Sequence, residues 1–172
     1  VYSLKVFALS ADVVEAIYRA ITDGGFQDCQ IVESLWIKEN DWAESWKQYW
    51  DVTHIGNHIV VCPSWKTYEP EENDVVITLD PGGAFGTGTH ETTQLMLMEM
   101  ELISNFKDFS TMPVLDVGTG SGILSLYAGH LGSPKVVAID IDPYAVGFVK
   151  ENVKENGLAD VIDVSQQTVG SL

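Results

Sequence analysis

Five residues, Gly118-Thr-Gly-Ser-Gly122, lie between two apolar runs, Pro113 to Val117 and Ile123 to Leu126. Three glycines in so short a stretch, between a predicted strand and a predicted helix, let a ligand approach the backbone more closely than side chains allow. A phosphate, a dinucleotide and a sulfonium cofactor are the ligand classes to separate. A dinucleotide loop reads GxGxxG, with its third glycine five positions after the first and usually no acid on the preceding strand end. Here the glycines stand two apart, and Asp116 precedes the first by two positions. A carboxylate beside the ligand repels pyrophosphate and suits the ammonium group of an amino-acid moiety. The Gly-Lys-Ser/Thr of a phosphate-gripping loop is missing.

The next predicted strand ends in Ala138-Ile-Asp140-Ile-Asp142, which places Asp140 22 positions beyond Gly118 and at the tip of the adjacent strand. That is where a ribose would sit. A carboxylate there accepts hydrogen bonds from both ribose hydroxyls, each worth about 1.5–3 kcal/mol. The alternative for the glycine loop, a tight strand-to-helix turn, leaves the flanking acids without a role. The pattern Asp116-Val-Gly118-Thr-Gly120-Ser-Gly122, taken with Asp140, resembles the S-adenosylmethionine site of Rossmann-like methyltransferases.

A second stretch, DPGGAFGTGTHETT from Asp80 to Thr93, precedes a predicted helix with Leu95, Met98 and Leu102 as its apolar stripe. Read alone, it is a loop with a polar tip that caps the helix through His90 or Thr92. His54 and His58 flank Gly56-Asn57, a predicted turn between two short strands. With no carboxylate or cysteine at supporting spacing, they predict no metal site.

The elements that must position these residues follow from periodicity. Tyr2 to Leu9 reads as a strand, and Asp12 with Glu15 as the capping box of a helix whose stripe is Val13, Ala16, Ile17, Ala20 and Ile21. Gly24-Gly25 ends that helix, and Gln30 to Trp36 reads as a second strand. Asp41 to Trp50, DWAESWKQYW, is a helix with Trp42, Trp46, Tyr49 and Trp50 at helical spacing, fit either to pack between domains or to clasp a peptide. Val75 to Leu79 is a strand. After Pro113 come a strand, the glycine loop, a helix from Ser121 to Leu131, a strand from Lys135 to Asp140, a helix from Pro143 to Asn156 and a strand from Val161 to Val164. Such alternation implies a parallel sheet with crossover connections. The predicted fold is α/β. A small α+β domain over 1–38 and a linker helix over 39–54 precede a sheet domain over 55–172, the last expected to be the N-terminal part of its fold.

With 172 residues, 45% of them apolar, the chain can bury a sizeable core. Nine basic and 25 acidic residues, a net charge of −16, work against a nucleic-acid backbone and favour a basic protein partner or simple solubility. No run approaches the roughly 20 apolar residues of a membrane span, and no signal-peptide pattern opens the chain. Cys29 and Cys62 lack metal or redox spacing, as reduced cytoplasmic thiols would.

AFGTGTHETT, set before VLDVGTGSGIL and IDIDP and after WKQYW and CPSW, resembles the ribosomal protein L11 methyltransferases, the PrmA family. The resemblance reaches to about Gly157 and spans several separate blocks in the family's order. It implies an enzyme that uses S-adenosylmethionine to methylate lysine ε-amines and the α-amine of ribosomal protein L11. A small N-terminal domain would hold the substrate, a connecting helix matched by Asp41 to Trp50 would allow reorientation, and the C-terminal domain would carry the cofactor. On this footing Thr93, Gly118 and Asp140 match cofactor contacts, Phe85 and His90 match a loop closing beside the cofactor, and Asp116 and Gly120 complete the binding set. The resemblance assigns no proton acceptor; His90 is a candidate by chemistry and a helix cap by position. A monomer in the cytoplasm is expected. Rival readings are a methyltransferase for another substrate and a non-catalytic S-adenosylmethionine-binding fragment, with a dehydrogenase disfavoured by the glycine spacing.

Overall fold

The computed structural model of the chain describes residues 10–25, 47, 50–80, 82 and 86–171. The strands expected over 2–9 and 30–36 lie outside these residues, as does the aromatic helix apart from Lys47 and Trp50. The backbone divides into two compact units, Val1–Glu44 and Ser45–Leu172.

In the first unit, helix α1 runs Ala11–Asp23 with Ser10 at its N-cap. The helix therefore starts before the expected box, and Glu15 pairs with Arg19 at 3.1 Å instead of capping. Its half-buried side is Val14, Ile17, Tyr18 and Ile21, while Val13, Ala16 and Ala20 are exposed. Both stripes have helical spacing. The one with more apolar area per residue takes the covered side, because alanine gains little from burial. Gly24 and Gly25 end the helix as expected, their N–H groups donating to the Ala20 and Thr22 carbonyls.

The second unit holds two three-stranded sheets. In one, β1 (Thr53–Ile55) pairs antiparallel with β2 (Ile59–Pro63), which pairs parallel with β3 (Val75–Leu79). Helix α2 follows (Glu91–Ser104). The other sheet is parallel throughout, in the order β4 (Val114–Val117), β5 (Val136–Asp140), β6 (Ile162–Gln166). Its crossovers are helices α3 (Ile123–His130) and α4 (Pro143–Glu155). The strands and helices predicted after Pro113 are thus all present.

One core joins the sheets: Ile59, Val61, Ile77 and Leu79 from the first meet Val136, Ala138 and Ile162 of the second around Leu126 and Tyr127 of α3. Trp50 is buried in this core, edge-on to Trp65 with ring centroids 5.4 Å apart. Cys62 is a buried free thiol, and burial pushes its pKa up.

Helix α2 corrects an expectation. Leu95, Met98 and Leu102 are exposed, and the buried face is Thr93, Leu97 and Glu101. Glu101 receives the N–H of Asn57 at 2.9 Å and of His58 at 2.8 Å, together with the Asn57 amide at 3.2 Å. Those bonds offset the cost of burying a carboxylate. The turn they hold has Gly56 at φ +62°, and a Cβ there would collide with the Glu101 carboxylate.

The outer edge of β3 is paired by side chains. Asn156 accepts the Thr78 N–H at 3.0 Å and donates to its carbonyl at 2.6 Å; Asn152 accepts the Asp80 N–H at 2.9 Å and donates to its carbonyl at 2.9 Å. Asn152 on α4 and Asn156 at its C-cap thereby stand in for a neighbouring strand. Among the described residues, no helix is long and apolar enough to cross a membrane.

Candidate functional site

The glycine loop emerges from β4 and turns into α3. Gly118, Gly120 and Gly122 all have positive φ, at 74°, 57° and 86°. The space a Cβ would occupy at Gly118 is open, whereas one at Gly122 would lie 2.8 Å from Val149 of α4. The first glycine therefore leaves room above the loop, and the last lets α3 and α4 pack closely.

Where the loop's N–H groups go decides what it can bind. Gly118 and Thr119 donate to the Ile139 carbonyl at 2.8 and 3.0 Å, Gly122 donates to the Thr119 carbonyl at 2.8 Å, and Gly120 donates to Asp140 Oδ2 at 2.9 Å. With these donors consumed inside the protein, the loop offers clearance and is no anion cradle. A ligand that comes close to the loop therefore does so without these four amides as donors.

A cavity of about 420 Å³ opens over the loop. Gly118, Thr119 and Gly120 form its floor, Thr92, Thr93 and Met96 of α2 one wall, and Asp140, Asp142 and Ala145 another, with Gly86, Ile123 and Leu124 completing the lining. The structure thus brings together Thr93, Gly118, Gly120 and Asp140 from three separate stretches. Each Asp140 oxygen accepts one backbone N–H, Oδ2 from Gly120 and Oδ1 from Asp142 at 3.0 Å. Both oxygens keep lone-pair capacity for a further donor.

Asp116 and His90 do not line the cavity. Asp116 Oδ2 accepts the hydroxyls of Thr119 at 2.8 Å and Ser125 at 2.7 Å, bracing the loop from below. His90 is the N-cap of α2, its Nδ1 accepting the Thr92 N–H at 3.2 Å. Phe85 lies outside the described residues. Sequence reasoning missed Met96, Leu124 and Ala145, which give the cavity its apolar wall and carry no motif. It also missed Asp142 as a lining residue, although the Asp-Pro pair does mark a helix start: Asp142 caps α4 by accepting the Tyr144 N–H at 2.9 Å. His54 contacts the Tyr68 hydroxyl at 3.2 Å, and no metal-ligating cluster occurs among the described residues.

Comparison with known proteins bears on this geometry. The family model for ribosomal protein L11 methyltransferase (PrmA) matches residues 5–171. A ribosomal protein L11 methyltransferase of Alkaliphilus metalliredigens is 47% identical over 133 residues, 77% of this chain and 41% of that protein. One from Herpetosiphon aurantiacus is 48% identical over 134 residues, 78% of this chain and 40% of its own. The chain therefore spans about two fifths of the length of these curated relatives. Among solved structures, the ribosomal protein L11 methylase of Lactobacillus delbrueckii subsp. bulgaricus superimposes with a TM-score of 0.57 at 37% identity, covering 67% of this chain and 58% of that one. The parallel sheet, its crossover helices and the glycine loop are thus the Rossmann-like α/β fold of methyltransferases. With a family match from residue 5 to residue 171 over this site, the chain belongs to the ribosomal protein L11 methyltransferase (PrmA) family.

Proposed function

We propose that this chain binds S-adenosylmethionine and serves in a protein N-methyltransferase that modifies lysine ε-amines and the α-amine of ribosomal protein L11. The observation that carries the reading is the cavity itself. Its volume, about 420 Å³, lies within the range of small-molecule sites, and it sets a two-oxygen acceptor, Asp140, beside open backbone at Gly118. A nucleoside cofactor needs both features. The apolar wall of Met96, Ile123, Leu124 and Ala145 suits the uncharged parts of the ligand, and an acidic surround suits a cationic one.

In this reading Asp140 holds the ribose hydroxyls, Gly118 and Gly120 admit the ligand, Thr93 contacts it from α2, and Asp116 keeps the loop in shape. His90 and Phe85 belong to the neighbouring stretch that approaches the ligand. The chemistry that S-adenosylmethionine supplies in such a site is a methyl group on a sulfonium sulfur. The protein's part is to align an amine with that methyl and to let the amine lose its proton, since a lysine of pKa about 10.4 is almost entirely charged at neutral pH. No residue of the described chain is assigned as that proton's acceptor. The net charge of −16 favours a basic protein substrate over nucleic acid, and we expect a cytoplasmic monomer.

Calorimetric titration of the chain with S-adenosylmethionine and with NAD, followed by methylation of purified ribosomal protein L11, tests the reading. Saturable binding of S-adenosylmethionine without binding of NAD is expected, and the reverse preference would overturn it. Because the chain spans two fifths of its relatives, binding without methylation would favour a cofactor-binding module.

A further inference from the structure

Ser121 is fully buried in the glycine loop, yet it does not line the cavity and takes no part in the binding described above. Its hydroxyl donates to the Gly86 carbonyl at 2.6 Å, and its own carbonyl accepts Asn152 Nδ2 at 3.1 Å. Asn152, 1% exposed, also pairs both backbone groups of Asp80. One loop residue is thus tied to the stretch before α2 at two points, directly at Gly86 and through Asn152 at Asp80. From Gly86 the connection continues to α2, because Gln94 Nε2 donates to the Gly88 carbonyl at 2.9 Å. Gly86 and Thr93 line the cavity opposite Gly118 and Gly120.

We propose that Ser121 and Asn152 are positioning residues that couple the glycine loop to residues 86–94, so that a ligand settling on Gly118 and Gly120 also fixes the far wall of its own site. The inference rests on the S-adenosylmethionine reading. The cavity walls come from stretches of chain some 30 residues apart in sequence, and these buried polar contacts are what set their register. Gly86 supports the same role. Its φ is +101°, and a Cβ there would lie 2.9 Å from Ser121 Oγ, so the close approach of carbonyl and hydroxyl requires glycine at this position.

Amide hydrogen exchange of the full chain, free and saturated with S-adenosylhomocysteine, tests the coupling in wild type, S121A and N152A at residues 87–91, which do not line the cavity and gain protection from the ligand only through the coupling. In the wild type, ligand slows exchange at both 118–122 and 87–91. In S121A at saturating ligand, 118–122 keeps its added protection while 87–91 loses it, and without ligand the 87–91 amides exchange about tenfold faster with β5 unchanged. N152A, which cuts the loop's second tie, gives the same pattern should S121A not fold. A merely structural role would lower protection uniformly. Equal ligand-induced protection of 87–91 in wild type and both variants overturns the coupling alone, whereas no binding to the wild type overturns the cofactor reading and the coupling with it.

Discussion

Asp140, at the end of β5, reaches across to the loop that follows the neighbouring strand β4 and takes the N–H of Gly120 onto Oδ2 at 2.9 Å. The residue expected only to receive a ligand is therefore also a strut of the glycine loop. Its other oxygen holds the N–H of Asp142, so one carboxylate sets the height of the loop and the start of α4 together.

Replacing Asp140 by alanine removes both functions. If Asp140 holds the ribose as proposed, loss of those bonds is expected to weaken S-adenosylmethionine binding about 10- to 100-fold. The freed N–H groups of Gly120 and Asp142 add a stability cost of about 1–3 kcal/mol. Calorimetry and urea denaturation measure the two effects separately. An unchanged dissociation constant in a folded D140A protein would remove Asp140 from the site.

Glu101 gives a second prediction. It is 8% exposed and bonded to the Asn57 and His58 amides, and E101A leaves those donors beneath α2 without a partner. The expected loss is about 1.5–3 kcal/mol in urea denaturation. Burial first, and then the Glu101 charge, push the Tyr127 phenol up to about 12, so E101A also moves the Tyr127 titration down. A mutant with wild-type stability would show that the turn satisfies itself with water.

The contrast between Asp140 and Glu101 shows where the sequence was legible. Asp140 and Gly118 could be picked out because a glycine loop after one strand and an acid at the tip of the next form a recognisable spacing, and Thr93 through the family resemblance alone; the structure sets all three on one cavity. The strand from Val136 was legible because a largely buried parallel strand is nearly continuously apolar, and the helix from Pro143 because the Asp-Pro cap marks a start. Glu101 was hidden because apolar periodicity counts a glutamate as a surface residue, and its partners lie 43 and 44 positions away in sequence. The asparagines that pair the edge of β3 and the Ser121 contact were hidden for the same reason. Each is a polar group whose burial makes sense only once a distant backbone is known to be there.

A third prediction concerns pH. The Tyr68 hydroxyl donates to Asp74 Oδ2 at 2.7 Å, which raises the Tyr68 pKa to about 12 and holds the Asp74 carboxyl below its ordinary range. With its proton committed there, Tyr68 can only accept from His54, so His54 Nε2 carries a hydrogen. Asp74's pKa is lowered, so its contribution to stability is present above the usual carboxylate pKa of about 3.9 and is lost as pH falls below it. Tyr68's pKa is raised, so its contribution is present below about 10 and is lost as pH rises through 12. In Y68F both dependences shrink, and in D74N the Tyr68 titration, followed by NMR, returns toward 10. A Tyr68 pKa that stays near 12 in D74N would place its cause elsewhere.

The last prediction tests the side-chain pairing of β3. An edge strand left open offers its N–H and C=O groups to other chains, and Asn152 of α4 with Asn156 at its C-cap closes this one. Asn156 Oδ1 accepts the Thr78 N–H, and its Nδ2 donates to the Thr78 carbonyl and to the Asn152 carbonyl at 2.7 Å. Since Oδ1 is the acceptor, His130 Nε2, 3.1 Å away, must donate to it. N156A removes all of these bonds and is expected to cost about 1–3 kcal/mol, with faster exchange at the Thr78 amide. N156D separates the two halves of the pairing. It keeps an acceptor for the Thr78 N–H but faces the Thr78 carbonyl with a second oxygen, so it is destabilised while the Thr78 amide stays protected against exchange. Fast Thr78 exchange in N156D, or none of these changes in N156A, would show that β3 is held by β2 and the core alone.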